Sequence, residues 1–271
     1  MKPELLRDII SSMESVLVAF SGGVDSTFLL KAARDVLGSR LLAVTAVSPI
    51  YPAHERECAV KTAGQLGVKH LTIETGVLDD PRFAANSPQR CYWCKKRLFK
   101  KLASLATQRG LRHVVDGTTV DDMQDFRPGT RAAGELGVRS PLVEAGLGKD
   151  EIRGLSRECG LATWDMPSCA CLASRFPYGV RITEHDLRSV DTAEDFLRGL
   201  GLTQVRVRHY RETARIEVTE EEMPSLVLKE TRKRIVKQLK KIGYIYVTLD
   251  LAGYRSGSMN EILPRPDDTV Y

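Results

Sequence analysis

The first 120 residues alternate between short apolar runs and longer segments with helical periodicity. A short apolar run typical of a buried strand lies at residues 15–20, and further short strands are predicted at 41–47, 69–73 and 112–116. Between them, apolar residues recur three and four positions apart, which predicts helices over 4–15, 28–37, 53–66 and 91–109. Strands that alternate with helices form a parallel sheet covered by helices on both faces. The predicted fold class is therefore α/β.

The pattern changes after about residue 180. Strict alternation of apolar and polar residues predicts half-exposed strands at 204–209, 214–218 and 244–249, and helices are predicted over 184–200 and 220–242. These elements describe a smaller C-terminal α+β domain with an antiparallel or mixed sheet. We therefore expect a first domain over residues 1–178, the smaller domain over 179–263 and a flexible tail over 264–271.

The loop after the first predicted strand has the sequence Ser-Gly-Gly-Val-Asp-Ser-Thr and opens the next helix. Ligands of parallel sheets bind beyond the carboxyl ends of the strands, where this loop lies. Amides at a helix N-terminus bind anions, and glycines let a phosphate approach the backbone. The loop is therefore predicted to bind phosphate, with Asp25 holding magnesium or fixing the loop. The residues assigned to this site are Ser21, Gly22, Gly23, Asp25, Ser26 and Thr27.

Composition and charge exclude several classes of protein. With 271 residues, 42% hydrophobic and 28% charged, the chain has an ordinary globular composition and is neither disordered nor fibrous. The net charge of +5 suits anionic ligands such as nucleotides, but we take it as too small and dispersed to indicate nucleic acid. Residues 1–15 lack the apolar core of a signal peptide, and no run approaches the length of a membrane span. A cytoplasmic protein that binds no membrane is expected.

The six cysteines are the most informative chemical feature of the chain. In a reducing compartment, closely spaced cysteines indicate a metal site or catalysis more than disulfides. Cys91 and Cys94 form a C-x-x-C motif at the start of a Lys- and Arg-rich helix, a setting that favours thiolates. Cys169 and Cys171 form a C-x-C motif in a predicted loop. The two remaining cysteines, Cys58 and Cys159, lie inside helical patterns and are expected to pack as small apolar residues.

These motifs together resemble a known family. The Ser-Gly-Gly-x-Asp-Ser loop after the first strand resembles the signature of the PP-loop ATP pyrophosphatases, which cleave ATP between its α- and β-phosphates, adenylate a substrate and release pyrophosphate. The segments at 86–95, 116–122, 127–129 and 167–175 resemble the LarE family, which makes the sulfur-bearing precursor of the nickel-pincer nucleotide cofactor. The resemblance extends from about residue 10 to residue 255 and covers both predicted domains.

The resemblance implies an ATP-dependent sulfur transferase. Such an enzyme adenylates a carboxylate of pyridinium-3,5-biscarboxylic acid mononucleotide and converts it to a thiocarboxylate, and two rounds give the bisthio product. In some members the cysteine of Cys-Leu-Ala-Ser-Arg gives up its sulfur and becomes dehydroalanine, and Cys171 matches that position. Other members, and tRNA-thiolating relatives, hold a 4Fe–4S cluster on three cysteines. A sacrificial cysteine would leave the C-x-x-C motif without a role, so we expect a cluster on Cys91, Cys94 and Cys171, with Cys169 as the alternative ligand.

The same resemblance implies the remaining site residues. Gly117 and Thr118 would lie beside ATP, and Asp121 is the alternative to Asp25 as the magnesium ligand, with Asp122 near the metal. From the residue types alone, Trp93 is a candidate for stacking on the pyridinium ring or for ordinary core packing, and Arg127 and Arg131 are candidates for phosphate binding or for ordinary surface charge. The substrate phosphate would be held by Ser174, Arg175, Glu194, Arg206 and Arg208. The small C-terminal domain would bind this substrate or form contacts in a homo-oligomer.

Two other functions fit parts of the sequence. A tRNA-thiolating PP-loop enzyme shares the loop and the cysteines, but no RNA-binding module is evident, and salt-sensitive tRNA binding would identify it. A non-catalytic nucleotide-binding protein with a Cys₄ zinc site would contain zinc without iron and would not form AMP and pyrophosphate from ATP.

Overall fold

The chain folds into two compact units, Met1–Cys169 and Ala170–Tyr271. The computed structural model describes residues 1–123, 128–167, 170–255 and 257–261. The division between the units precedes the boundary expected after residue 178, so Cys171 and Arg175 belong to the second unit. Arg127, Cys169 and the tail expected over 264–271 lie outside the described residues.

The first unit is a parallel α/β structure, as its periodicity predicts. Its four strands are ordered β3-β2-β1-β4, and each neighbouring pair is parallel. A short 3₁₀ helix over Val77–Asp79 follows β3. The elements of this unit are α1 (Lys2–Ser12), β1 (Val16–Ala19), α2 (Val24–Leu37), β2 (Leu41–Val47), α3 (Ala53–Gln65), β3 (His70–Glu74), α4 (Pro81–Ala84), α5 (Arg90–Gln108), β4 (His113–Val115), α6 (Val120–Met123), α7 (Pro128–Glu135), α8 (Pro141–Glu144) and α9 (Lys149–Glu158).

Helices cover both faces of this sheet because successive side chains of a strand point to opposite faces. Val16 and Val18 of β1 pack in a core with side chains of α1, α2 and α9. Leu17, between them, packs in a separate core with side chains of α5 and α7. A strand buried on both sides reads as a continuous apolar run, which explains why the central strands were recognisable in the sequence.

The second unit is a small mixed sheet with helices on one face. Strands β5 and β6 are antiparallel, whereas β6 and β7 are parallel. Val207, Ala214 and Ile216 point into a core that contains Leu197 and Leu239. The elements are a 3₁₀ helix (Leu172–Arg175), α10 (Glu184–Arg198), β5 (Arg206–Tyr210), β6 (Thr213–Glu217), α11 (Met223–Val227), α12 (Lys229–Ile242), β7 (Tyr246–Leu249) and a second 3₁₀ helix (Ser258–Asn260).

The single helix predicted over 220–242 is wrong. The structure has two helices, α11 and α12, with Leu228 between them in an extended conformation (φ −55°, ψ 137°). Pro224 stands in the first turn of α11, the position where a helix tolerates a residue without an N–H group. A helix that began at residue 220 would place this proline further inside, so α11 begins at Met223.

Within the described ranges, no helix combines the length and the apolar run that a membrane-spanning segment needs.

Candidate active site

The predicted phosphate loop connects β1 to α2 at the carboxyl edge of the sheet. Gly23 caps α2, whose first turn begins at Val24. The N–H groups of a first helical turn have no acceptor within the helix, so this end of α2 offers amide donors and a positive dipole to an anion. The loop therefore offers the backbone donors on which the predicted phosphate site depends.

Two serine hydroxyls hold the shape of the loop. The hydroxyl of Ser26 donates to the Gly23 carbonyl at 3.2 Å and lies 3.0 Å from the Ser21 hydroxyl. The Ser21 hydroxyl in turn accepts from the Gly23 amide at 3.3 Å. Because both hydroxyls are used within the loop, the backbone amides are the main donors left for a phosphate.

Backbone approaches the start of α2 closely from two sides, and glycine is required on both. Gly22 has φ +81°, and a Cβ atom added there would lie 2.9 Å from the Cα of Ala59 in α3. A Cβ atom on Gly117, after β4, would lie 3.0 Å from the amide nitrogen of Ser26. No side chain fits at either position without moving the neighbouring backbone. Gly117 therefore lies directly against the phosphate loop.

The loop after β4 is shaped by the buried side chain of Asp116. Its carboxylate accepts from the Thr118 amide at 3.2 Å, the Thr118 hydroxyl at 2.8 Å and the Ser140 hydroxyl at 2.7 Å. Thr118, an expected ATP contact, thus donates its hydroxyl hydrogen inside the loop. Through these hydrogen bonds, Asp116 stabilises the turn that contains Gly117.

The two candidate magnesium ligands have different surroundings. Asp25 lies half-buried in the first turn of α2, within the phosphate loop itself. Asp121 instead accepts from the Lys149 amide at 2.8 Å, which caps the N-terminus of α9. The neighbouring Asp122 pairs with the Lys149 ammonium group at 2.8 Å. The structure thus ties Asp121 and Asp122 to α9, whereas Asp25 lies in the loop that is predicted to bind phosphate.

Three buried threonine hydroxyls near this edge have no hydrogen-bond partner in the described part of the chain. They belong to Thr27 in α2, Thr75 directly after β3 and Thr119 after β4. Buried hydroxyls without a partner are uncommon in folded proteins. A polar ligand at the carboxyl edge is the simplest way to satisfy them. Thr75 and Thr119 were not singled out in the sequence, although their positions after predicted strands were the available signal.

The C-x-x-C motif occupies the first turns of α5. Cys91 is exposed and Cys94, one turn later, is half-buried. Gly129 of α7 packs against this turn, because a Cβ atom there would lie 2.9 Å from Cγ of Lys95 and 3.6 Å from the Cys91 carbonyl. The motif is therefore accessible and supported from behind by α7.

Trp93, between the two cysteines, already has a cation on one face. The Arg82 guanidinium carbon lies 3.9 Å from the centre of its ring. Two hydrogen bonds, of 2.9 and 2.8 Å, hold Arg82 to Asp80 and lower the pKa of that carboxyl. A pyridinium ring could thus stack only on the other face of Trp93.

Arg131, a candidate phosphate ligand, lies over the Tyr92 ring at 4.2 Å and pairs with Glu135 at 3.7 Å.

In the second unit, the buried Arg175 clamps the backbone beside Cys171. Its Nε and Nη2 atoms donate to the two carboxylate oxygens of Glu194 at 2.8 and 2.9 Å. Its Nη1 atom donates to the carbonyls of Ala170 at 2.6 Å and Cys171 at 3.2 Å. All three nitrogens are engaged within the unit, so the structure gives Arg175 a clamping position rather than that of the expected phosphate ligand. Cys171 itself is half-buried at the start of the 3₁₀ helix.

Glu194 organises this cluster as a buried anion. It also accepts from the Arg198 guanidinium at 2.8 Å and from the Val207 amide at 3.0 Å. Burial raises the pKa of Glu194, but the Arg175 charge and hydrogen bonds outweigh burial, so the pKa of the carboxyl stays below its ordinary value. Glu194 is therefore a structural carboxylate that holds α10, β5 and the Cys171 backbone together.

Arg206 and Arg208 lie on the same face of strand β5, as their spacing predicts. Arg208 donates to Glu217 at 2.7 Å and to the Ser174 carbonyl at 2.9 Å, while its buried Nε has no partner among the described residues. Arg206 lies over the Tyr254 ring at 5.3 Å. The buried charged residues described in this unit are three arginines, 175, 206 and 208, and two glutamates, 194 and 217. Glu194 pairs with Arg175 and Glu217 pairs with Arg208, so both buried glutamates are compensated.

No family model matches the chain, but similar proteins do. An uncharacterized protein of Synechocystis sp. is 44% identical over 97% of this chain and 98% of its own length. The pyridinium-3,5-bisthiocarboxylic acid mononucleotide synthase of Lactiplantibacillus plantarum is 38% identical over 97% of this chain and 95% of its own length. The chain belongs to the LarE family of that synthase. An uncharacterized protein of Methanocaldococcus jannaschii, 29% identical over 90% of this chain and 92% of its own length, is a more distant relative. Membership in the LarE family confirms the resemblance drawn from the motifs and makes this chain an enzyme.

The expected cluster ligands of this LarE protein are divided between the units. Cys91 and Cys94 belong to the first unit and Cys171 to the second. Among the described residues, no group of three or more His, Cys, Asp or Glu side chains is placed to hold a metal ion. Thiolates suit an iron–sulfur cluster chemically, but the described residues of neither unit bring three cysteines together.

The close approach at Gly22 makes a testable prediction. In Gly22→Ala, the positive φ angle and the contact with Ala59 force the loop or α3 to move, and such backbone strain costs about 1–3 kcal/mol. We expect ATP binding to weaken about tenfold or more, measured by calorimetry, together with a lower melting temperature. Gly64→Ala in α3 is the control, because it meets nothing within 4 Å and should stabilise the helix. Unchanged ATP affinity in Gly22→Ala would show that the loop does not bind the nucleotide.

Proposed function

We propose that this LarE-family chain is an ATP-dependent sulfur transferase that converts a carboxylate of pyridinium-3,5-biscarboxylic acid mononucleotide to a thiocarboxylate. The product named for the Lactiplantibacillus plantarum relative supports this substrate. The observation that carries the proposal is the phosphate loop at the start of α2, enclosed by Gly22 and Gly117 at the carboxyl edge of a parallel sheet. We interpret this first unit as a PP-loop ATP pyrophosphatase fold.

The first chemical step activates the carboxylate. A carboxylate oxygen of the substrate attacks the α-phosphorus of ATP, the bond from that phosphorus to the bridging oxygen breaks, and pyrophosphate leaves. The amides at the N-terminus of α2 offset the charge on the phosphates. We assign Asp25 to hold magnesium, which supplies further neutralisation of phosphate oxygens. Thr27, Thr75 and Thr119 provide the hydroxyls that a nucleotide at this edge would satisfy.

The second unit is proposed to hold the substrate phosphate. Arg206 and Arg208 are both buried, and the Nε atom of Arg208, which has no partner among the described residues, is the donor that we assign to a phosphate oxygen. Guanidinium groups suit phosphate because they present several donors in a fixed plane. Glu217 pairs with Arg208 at 2.7 Å and holds it in place, while Glu194 pairs with the neighbouring Arg175 at 2.8 Å.

The second chemical step transfers sulfur. A sulfur nucleophile attacks the carbonyl carbon of the acyl-adenylate, the carbon–oxygen bond to AMP breaks, and AMP leaves with the electron pair. We propose that Cys91, Cys94 and Cys171, with Cys169 as the alternative ligand, would hold a 4Fe–4S cluster, which would deliver an additional sulfide as the nucleophile. The alternative route needs only Cys171: its sulfur forms the new bond, its Cα loses a proton, and its Cβ–S bond breaks to leave dehydroalanine.

The activation step is tested directly with ATP and the biscarboxylic mononucleotide. We expect AMP and pyrophosphate to form only when that substrate is present, with product mass showing exchange of one oxygen for sulfur at each carboxylate. The Asp25→Asn variant should lower the rate of pyrophosphate release about 100-fold or more, because electrostatic stabilisation of developing charge contributes on that order. Without any AMP or pyrophosphate, the chain would be a nucleotide-binding protein and not a sulfur transferase.

Cysteine variants and metal analysis distinguish the two proposed sources of sulfur. With a cluster, protein purified without oxygen contains iron and sulfide, and alanine at 91, 94 or 171 removes both and abolishes sulfur transfer. Alanine at 58 or 159 is the matched control and should have no effect. Iron-free protein that loses the mass of one H₂S per turnover, with full activity in Cys91→Ala and Cys94→Ala, would establish the sacrificial route. Stoichiometric zinc in place of iron would contradict both.

The Arg175 clamp predicts a split between the two half-reactions. In Arg175→Lys the charge is kept, but an ammonium cannot hold both Glu194 oxygens and the carbonyls of Ala170 and Cys171. We expect adenylation, measured by pyrophosphate release, to persist while sulfur transfer falls about tenfold or more. Arg198→Lys is the control, since Arg198 also binds Glu194 but none of the carbonyls beside Cys171. An equal fall in both half-reactions, or an equal effect of Arg198→Lys, would contradict the clamp.

A further inference from the structure

Helix α12 carries more positive charge than the whole chain. Seven of its fourteen residues are Lys or Arg and one is Glu, so its net charge is +6, against +5 for the full sequence. The remainder of the chain therefore has a net charge of −1. The positive excess that appears small and dispersed in the composition is concentrated on one helix. The expectation of dispersed charge was wrong.

The cations of α12 face solvent. Ile235 and Leu239 are buried in the core of the second unit and fix the orientation of the helix. With 3.6 residues per turn, Lys233, Lys237 and Lys240 lie on the opposite side, and the helix is about 21 Å long. All seven cations are exposed: Lys229, Arg232, Lys233, Arg234, Lys237, Lys240 and Lys241.

The charge on this face is hardly neutralised by the protein. Within the described ranges, Lys233 is the one cation of α12 with a carboxylate partner, Glu230 at 3.4 Å, and both side chains are exposed. Elsewhere on the surface, ion pairs are frequent, as in Lys2–Glu151 and Arg112–Glu14. Six like charges along about 21 Å repel one another, so a polyanion that lies along the helix gains favourable Coulomb energy with all of them.

We propose that the exposed face of α12 binds the phosphate backbone of a nucleic acid. A row of cations is sufficient for phosphate contacts, which do not require an apolar groove. Such contacts are independent of base sequence. Protein interfaces are depleted in lysine, which supplies five of the seven cations here. Membrane-surface helices bury an apolar face in lipid, but Ile235, Leu239 and Ile242 of α12 are already used in the core. No residue of α12 is among those assigned to ATP binding or sulfur transfer.

The salt dependence of binding measures the number of phosphate contacts. If about four cations contact a DNA duplex, the logarithm of the association constant falls with the logarithm of salt with a slope of about −3.6, a loss of about a hundredfold between about 50 and about 200 mM salt. We expect this behaviour in fluorescence anisotropy with a short labelled DNA duplex, and in a second arm with an RNA hairpin of similar length. Binding of only one of the two probes identifies which nucleic acid supplies the phosphates and supports the proposal.

A charge-neutralised variant tests the location. Lys233→Gln, Lys237→Gln and Lys240→Gln together should reduce the magnitude of the slope by up to about 2.7 and weaken binding at low salt at least tenfold. The control removes three exposed cations from the first unit: Lys61→Gln, Lys69→Gln and Arg109→Gln. The α12 variant should keep its pyrophosphate release from ATP, so failure of this proposal is distinct from failure of the proposed enzyme.

Three results would overturn the proposal. One is the absence of binding to either probe at low salt, and another is equal weakening by the α12 and control variants. The third is binding to phosphatidylserine-containing vesicles without binding to either nucleic acid, which would show that α12 attaches the protein to an anionic membrane surface.

Discussion

The close packing of backbone against the start of α2 is the constraint on which the proposed chemistry depends. Gly22 meets Ala59 on one side, and Gly117 meets the Ser26 amide on the other. The absence of a side chain at both positions allows β4, α3 and α2 to approach one short loop. The amides of this loop lie at the carboxyl edge of the sheet. Asp116 holds the turn around Gly117 with three hydrogen bonds, so this edge is built before any ligand arrives. Such preorganisation is the main way in which a protein stabilises charge on phosphate oxygens.

In the second unit, the main constraint is the stabilisation of buried arginines. A buried guanidinium is costly unless it is paired, and Glu194 and Glu217 provide the pairing. Glu194 compensates for its own burial by accepting from Arg175, Arg198 and the Val207 amide. The same carboxylate thus orients Arg175, which holds the backbone at Cys171. Cys171 and strand β5 therefore share one anchor, which in the proposed mechanism links the position of the sulfur residue to that of the substrate phosphate.

The sequence was most informative where local pattern determines structure. The parallel sheet follows from strands such as β1, whose side chains are buried on both faces. The glycine loop was recognisable because its residue types and its position between a strand and a helix agree. The break between α11 and α12 was missed, although Pro224 was visible, because periodicity alone ran across it. The contacts of Arg175 could not be predicted, because its partner Glu194 is 19 residues away and meets it only through tertiary packing. Thr75 and Thr119 were missed because a threonine after a strand is unremarkable until its burial is known.

The distribution of charge shows why a net value is a poor guide to binding surfaces. A sum of +5 arises here from a nearly balanced chain plus one helix of +6. Screening limits the reach of exposed charges to about 8–10 Å at physiological salt, so an approaching polyanion responds to the local row of cations and not to the molecular total. The anion sites of the enzyme differ in kind: they rely on amides, buried arginines and enclosed geometry, which salt screens much less. A rise in salt should therefore act on α12 well before it acts on the phosphate loop, and the two functions can be separated by ionic strength alone.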